Sequence, residues 1–158
     1  MVLYQRGSEN EELSQADLRE ALHVAFEKLG SRSKVLAIPP DYTRFHSQAG
    51  ILTSLAWEYF GNSMTDILPA LGTHAPMTQE QISHMFPGVP HDLFRVHDWR
   101  NDVVTLGVVP GSFISEITNG QVTYDWPVQV NKMLVEGGYD LILSIGQVVP
   151  HEVIGMAN

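Results

Sequence analysis

The sequence predicts an α/β fold of Rossmann-like type, a mostly parallel sheet with helices on both faces, plus a β-hairpin near Asn119-Gly120. Three observations carry that expectation. Short apolar runs of strand length, Lys34 to Ile38 and Leu141 to Ile145, are rich in branched aliphatic residues. Between such runs lie stretches with apolar residues at helical spacing. Strand, loop and helix therefore alternate, which is the pattern of parallel βαβ units. The chain has 158 residues, 44% of them hydrophobic, enough for one domain over residues 1–158 with a sizeable core. No disulfide or metal staple is needed at that length.

The elements follow in order. Val2-Leu3-Tyr4-Gln5 reads as a short edge strand. Ser14 is placed as a helix N-cap, and Asp17 completes a capping-box pattern. Leu18, Leu22, Ala25, Phe26 and Leu29 recur at helical spacing until Gly30. The run through Ile38 is a buried strand stopped by Pro39-Pro40. Asp41 to Ser47 is polar and reads as a loop. Ser47 then caps a helix with Ile51, Leu52, Leu55, Ala56, Tyr59 and Phe60 on its apolar face. A strand from Thr65 to Leu68 runs out at Leu71-Gly72, and Thr78 with Gln81 opens a short helix ending near Pro87. Phe94 to His97 and Val103 to Val109 read as strands. Ile114 to Thr118 alternates and meets Asn119-Gly120, a hairpin signal. Leu141 to Ile145 is the last buried strand, and a polar tail follows Gly146.

Composition removes several function classes. Nine Lys and Arg against eighteen Asp and Glu leave a net charge of −9. Without a basic patch, nucleic acid is not an expected partner. No apolar run approaches the roughly 18 residues of a membrane helix, so no membrane partner is expected. The first residues lack the charged-then-apolar pattern of a secretory signal. Absence of cysteine excludes disulfides, thiolate nucleophiles and thiolate metal sites, and fits a cytoplasmic location. The glycine-rich dinucleotide fingerprint, the P-loop and the nucleophile elbow are all missing. His46, His84, His91 and His97 read as surface or loop residues, and the spacing of the last two is not that of a zinc motif.

Three polar loops come directly after apolar strands: Asp41 to Arg44, Gly72 to His74, and Gly146 to His151. Ligands of open α/β sheets bind beyond the carboxyl ends of the strands. Asp41, Arg44, His74 and His151 are therefore gathered toward one rim. Arg44 offers a planar fork that holds a carboxylate bidentately. Asp41 can orient that arginine or accept a substrate hydroxyl. Imidazoles, with an ordinary pKa near 6.5, suit general acid–base work. Each residue also has a structural reading: an Asx-turn for Asp41, a solvated charge for Arg44, a cap ahead of the Thr78 helix for His74. As a set they suit a small hydroxy acid. A non-catalytic anion- or nucleotide-binding module is the alternative.

Read together, Ile38-Pro-Pro-Asp41-Tyr-Thr-Arg44, Ala70-Leu-Gly-Thr-His74-Ala-Pro-Met-Thr78 and Gly146-Gln-Val-Val-Pro-His151-Glu-Val-Ile-Gly155 resemble, in order, motifs of the N-terminal domain of the nickel-pincer lactate racemase family. That resemblance implies an isomerase that racemises or epimerises small 2-hydroxy acids by hydride transfer to a nickel-pincer nucleotide. It implies that Asp41 and Arg44 bind substrate, that His74 and His151 are the two catalytic proton carriers, and that Thr43 and Gly72 contact the cofactor. It places the metal's protein ligand, the lysine that attaches the pincer, and a C-terminal domain all downstream of the matched region. The expectation is an N-terminal catalytic half of a longer two-domain enzyme, with its C-terminal domain as missing partner. Alone, it is expected to bind no cofactor and to be inactive. A rim normally covered by that second domain is expected to favour self-association. Phe45 follows Arg44 where the family commonly carries proline.

Overall fold

A computed structural model describes residues 1–151 and 155–157. The chain divides into two compact units, one of Met1–Val96 with Tyr139–Asn158, the other of His97–Gly138.

The first unit begins without the expected edge strand. Val2 is solvent-exposed and no strand lies beside it; Lys28 Nζ holds the segment instead, donating to the Leu3 carbonyl at 2.6 Å. A four-residue apolar run with polar flanks has too little surface to bury to justify its ordering cost. Helix α1 (Gln15–Leu29) starts at the expected capping box. The Ser14 hydroxyl receives the Asp17 amide, and the Asp17 carboxylate receives the Ser14 amide. Strand β1 (Val35–Ile38), helix α2 (Ala49–Phe60), strand β2 (Met64–Ile67) and helix α3 (Gln79–Met85) follow. Between β1 and α2, the polar segment expected as a loop is a 3₁₀ turn over Tyr42–Ser47. The Ser47 hydroxyl accepts from the Ala49 amide at 3.2 Å, but the N-cap of α2 is Gln48, in the left-handed region, so Ser47 ends the preceding turn instead of capping the helix as expected. Thr78 and Gln81 form the second capping box, at the start of α3.

Strand β5 (Leu141–Ser144) completes a three-stranded sheet ordered β2-β1-β5, with both pairings parallel. The central strand is fully buried at Val35, Leu36 and Ala37, which explains its unbroken apolar sequence. Phe26 of α1, Ala56 of α2, Met64 and Ile67 of β2, and Met85, Phe86 and Val89 close the core around it. Each fully buried large apolar side chain contributes roughly 1.5–3 kcal/mol. Gly50 marks the tightest approach: a Cβ there would stand 2.1 Å from the Met85 carbonyl oxygen, so α3 seats directly on the α2 backbone.

Two carboxylates tie distant parts of this unit. Asp140 accepts from the Ser33 amide and hydroxyl and from the Lys34 amide, all at 2.8–3.0 Å, pinning the start of β5 to the start of β1. Asp66, buried in β2, accepts from Arg95 Nε at 2.6 Å and from the Tyr139 hydroxyl at 2.8 Å. Burial and this bond push the Tyr139 phenol well above its usual range. Arg95 and Tyr139 stand where the chain leaves the first unit and returns to it, so one carboxylate holds both crossings. Phe94 pairs with Ile67 by a single parallel bridge, which is all that forms of the strand expected over Phe94 to His97.

The second unit is an antiparallel pair, β3 (Val103–Val109) and β4 (Trp126–Asn131), with α4 (Gly111–Ile117) between them and α5 (Met133–Glu136) after. A hairpin is present, but Ile114–Ile117 is helical rather than one of its arms. Ile114 is the only side chain of that run to be buried, its amide and that of Phe113 bond back to the Pro110 carbonyl, and Asn119 and Gly120 take positive φ after the helix end. Proline before a first turn starts a helix, and Asn-Gly ends one as readily as it turns a hairpin. Beyond Gly146, the expected polar tail contains a short antiparallel pair, β6 (Val149–His151) with β7 (Gly155–Ala157).

Replacing Asp66 by alanine takes the partner from the exposed Arg95 guanidinium and orphans the half-buried Tyr139 phenol. It should cost about 2 kcal/mol, measured as a lowered urea midpoint. Replacing Arg19, whose bridge to Glu58 is exposed on both sides, should change stability by less than about 0.5 kcal/mol in the same assay.

Candidate functional site

Strand order places the site. The chain passes from β1 through α2 to β2 on one side and later returns as β5 on the other, so the strand order reverses at β1. Such switch points open a crevice beyond the strand carboxyl ends. Here the parallel pairing continues past the strands: Ala70 N–H donates to the Pro39 carbonyl at 2.8 Å, and Ile145 N–H to the Ile38 carbonyl at 3.1 Å. The three post-strand loops are thereby drawn to one rim. A cavity of about 190 Å³ lies there, lined by Pro40, Asp41, Thr43, Arg44, Ser47, Ala70, His74, Gly146, Gln147 and Val149.

Asp41 is the junction. It is 6% exposed and caps the 3₁₀ turn, accepting from the Thr43 amide at 3.0 Å and from the Thr43 hydroxyl. Its other oxygen lies 2.6 Å from His74 Nδ1. The Asx-turn reading of Asp41 is therefore right, and incomplete. Burial alone would raise its carboxyl pKa, but the Thr43 hydroxyl, the His74 ring and the Thr43 amide together hold it below the usual carboxylate range. An ionised Asp41 only accepts, so Nδ1 of His74 carries the hydrogen. In a neutral ring that leaves Nε2 as the acceptor. The carboxylate thus fixes both the orientation and the tautomer of the imidazole.

His74 reaches this position through a turn. Its amide donates to the Leu71 carbonyl at 2.9 Å, and Gly72, the first central residue, takes φ +56°. A Cβ there would meet nothing, yet the left-handed backbone costs an L-residue roughly 1–2 kcal/mol. Gly72 thus shapes the turn and does not line the cavity. Arg44 lines it, and no described acidic residue pairs with its guanidinium.

Four of the six expected site residues, Asp41, Thr43, Arg44 and His74, meet in this cavity. His151 is half-buried at the end of β6, two residues past the lining residue Val149, and is not itself among the lining residues. Two polar lining residues, Ser47 and Gln147, are not among the expected site residues, because only the folded loops bring them to the cavity. Among the described residues no cluster of three or more His, Asp or Glu could hold a metal ion.

The chain is thus an open α/β domain that gathers an arginine, a carboxylate-bound imidazole and hydroxyls at the switch point of its sheet. The comparisons narrow that class. The family model for the lactate racemase N-terminal domain matches residues 3–158, and the chain belongs to that family. A crystal structure of a Thermotoga maritima protein superposes with a TM-score of 0.79 at 29% identity, over 89% of this chain and 35% of that one. The chain therefore spans about a third of the length of that solved relative. A comparison with curated proteins finds no match. Among the described residues no helix is long and apolar enough to cross a membrane.

Asp41 also predicts a pH dependence. Its folded pKa lies below the roughly 3.9 of an unfolded aspartate, so its stabilisation is complete above that value and is lost as pH falls through the folded pKa. Urea titrations of the wild type and of Asp41→Asn should give a stability difference that is constant above about pH 5 and shrinks below about pH 4. A difference flat down to the acid transition would show the carboxylate unperturbed.

Proposed function

We propose that this chain is the N-terminal part of a racemase or epimerase acting on a small 2-hydroxy acid. The observation that carries the reading is the meeting, in one cavity, of the Arg44 guanidinium, with which no described acidic residue pairs, and a His74 ring whose Nδ1 is committed to Asp41. Arg44 holds the substrate carboxylate through its planar fork. That anchor leaves C2 and its hydroxyl to be presented to His74. Nε2 accepts the hydroxyl proton, and Asp41 stabilises the imidazolium that forms without itself taking the proton. The hydroxy acid, having lost a proton and a hydride, is a planar 2-keto acid. Return of both to the opposite face inverts C2.

His151 is the proposed second proton carrier, because the two enantiomers present their hydroxyls on different sides. A nickel-pincer nucleotide, when bound, supplies the hydride acceptor. On this reading Thr43 acts at the cofactor edge of the cavity through its position beside Asp41, and Gly72 through the left-handed turn that delivers His74. The C-terminal domain of a longer chain would cover the rim and supply the metal's protein ligand. Without it the chain is expected to be inactive, and the open rim to favour self-association. A cytoplasmic setting suits a cysteine-free enzyme of small metabolites.

The test is made on the complete reading frame, co-expressed with the cofactor-making enzymes and given enantiopure 2-hydroxy acids. Loss of optical rotation should appear for one acid. His74→Ala should lower kcat by roughly 10²–10⁴, whereas Arg44→Lys should mainly raise KM. Protein that is folded and cofactor-loaded, yet inverts none of the acids, would leave an anion-binding module.

A further inference from the structure

Beside the Arg44 loop lies an aromatic cluster that the proposed chemistry does not use. His84 Nδ1 is 2.7 Å from the Tyr42 hydroxyl. The Phe45 ring stacks on His84 with centroids 4.6 Å apart and planes at 26°, and Tyr42 lies 5.5 Å from Phe45. Offset and tilted arrangements at these separations are the favoured ones for ring pairs. Tyr42 also packs on the core, so the cluster is rooted at one end.

His84 is rooted at the other end. It belongs to α3, and the next residue, Met85, is 1% exposed and presses on the Gly50 backbone. The same helix begins at Thr78, four residues after His74. A closed circuit results. Asp41 grips His74; the chain runs from His74 into α3; His84 on α3 grips Tyr42 and Phe45, which flank Thr43 and Arg44. Arg44 is also where the backbone of the turn departs from helical geometry (φ −106°, ψ 25°).

We propose that His84 is a positioning residue: with Tyr42 and Phe45 it forms a latch that holds the Tyr42–Ser47 turn on α3 and so fixes the Arg44 guanidinium relative to the His74 ring. The latch stands on geometry alone. Only its effect on ligand affinity rests on the hydroxy-acid reading of the pocket.

The test uses the 158-residue chain labelled with ¹⁵N, with L-lactate as probe. Histidine ring nitrogens and the arginine Nε–H groups are followed by NMR, and core methyls report the fold. His84→Ala and Phe45→Ala should shift or broaden the His74 ring and Arg44 Nε–H signals while the β1 methyls stay in place. Lactate affinity should fall about tenfold in each. His84→Asn, whose amide reaches the Tyr42 hydroxyl, should recover part of both effects. Unchanged His74 and Arg44 signals in the folded alanine variants would overturn the latch. So would global unfolding of both, which would make the cluster part of the core. If wild type binds no lactate but the variants still move the His74 and Arg44 signals, the latch stands and the hydroxy-acid reading falls.

Discussion

One buried carboxylate organises the site. Asp41 accepts from the Thr43 amide and hydroxyl on its own loop and from His74 on the next. The first two bonds shape the 3₁₀ turn that carries Arg44. The third sets the direction and tautomer of an imidazole that comes from a loop 33 residues away. A buried carboxylate is expensive unless its lone pairs are filled. Here three donors fill them, and the charge that results orders the site instead of straining it.

The sheet makes that arrangement possible. Three parallel strands end at nearly the same level, and pairing that continues past β1 brings Pro40, Ala70 and Ile145 alongside one another. The loops are short, so little freedom remains for the residues they carry. Asp140 and Asp66 do at the strand starts and at the crossing of the chain what Asp41 does at the carboxyl ends. Each ties segments far apart in sequence through a single side chain. An acidic chain with few cations uses carboxylates as acceptors for backbone, hydroxyl and ring donors more than as halves of ion pairs.

The division of labour between rim and core is also visible. The cavity mixes polar side chains with Pro40, Ala70 and Val149, and the support beneath it is apolar: Met85 against Gly50, Tyr42 against the core, Ile67 and Leu68 under the second loop. Family membership and a similar solved fold agree with this α/β arrangement. What the loops do chemically is the proposal that the Arg44 and His74 geometry supports.

Local rules decided much of this in advance. Both capping boxes and the strands at Val35–Ile38 and Leu141–Ser144 were legible because each depends on residues within a few positions of one another, although the second strand, expected to be buried, alternates between half-buried and exposed residues, and the cap expected at Ser47 falls on Gln48. The order of the loops after the strands was legible for the same reason, and with it the candidates Asp41, Arg44 and His74. The alternating run Ile114–Thr118 misled, because helix and strand periods are nearly indistinguishable over five residues, and the preceding Pro110 and packing of Ile114 chose the helix. Only the tertiary structure decided that Asp41 bonds His74, that Ser47 and Gln147 face the cavity, and that His84 grips the Arg44 loop across 42 residues. Those contacts are set by which strands become neighbours. That choice is made by burial of the whole sheet, and no short stretch of sequence contains it.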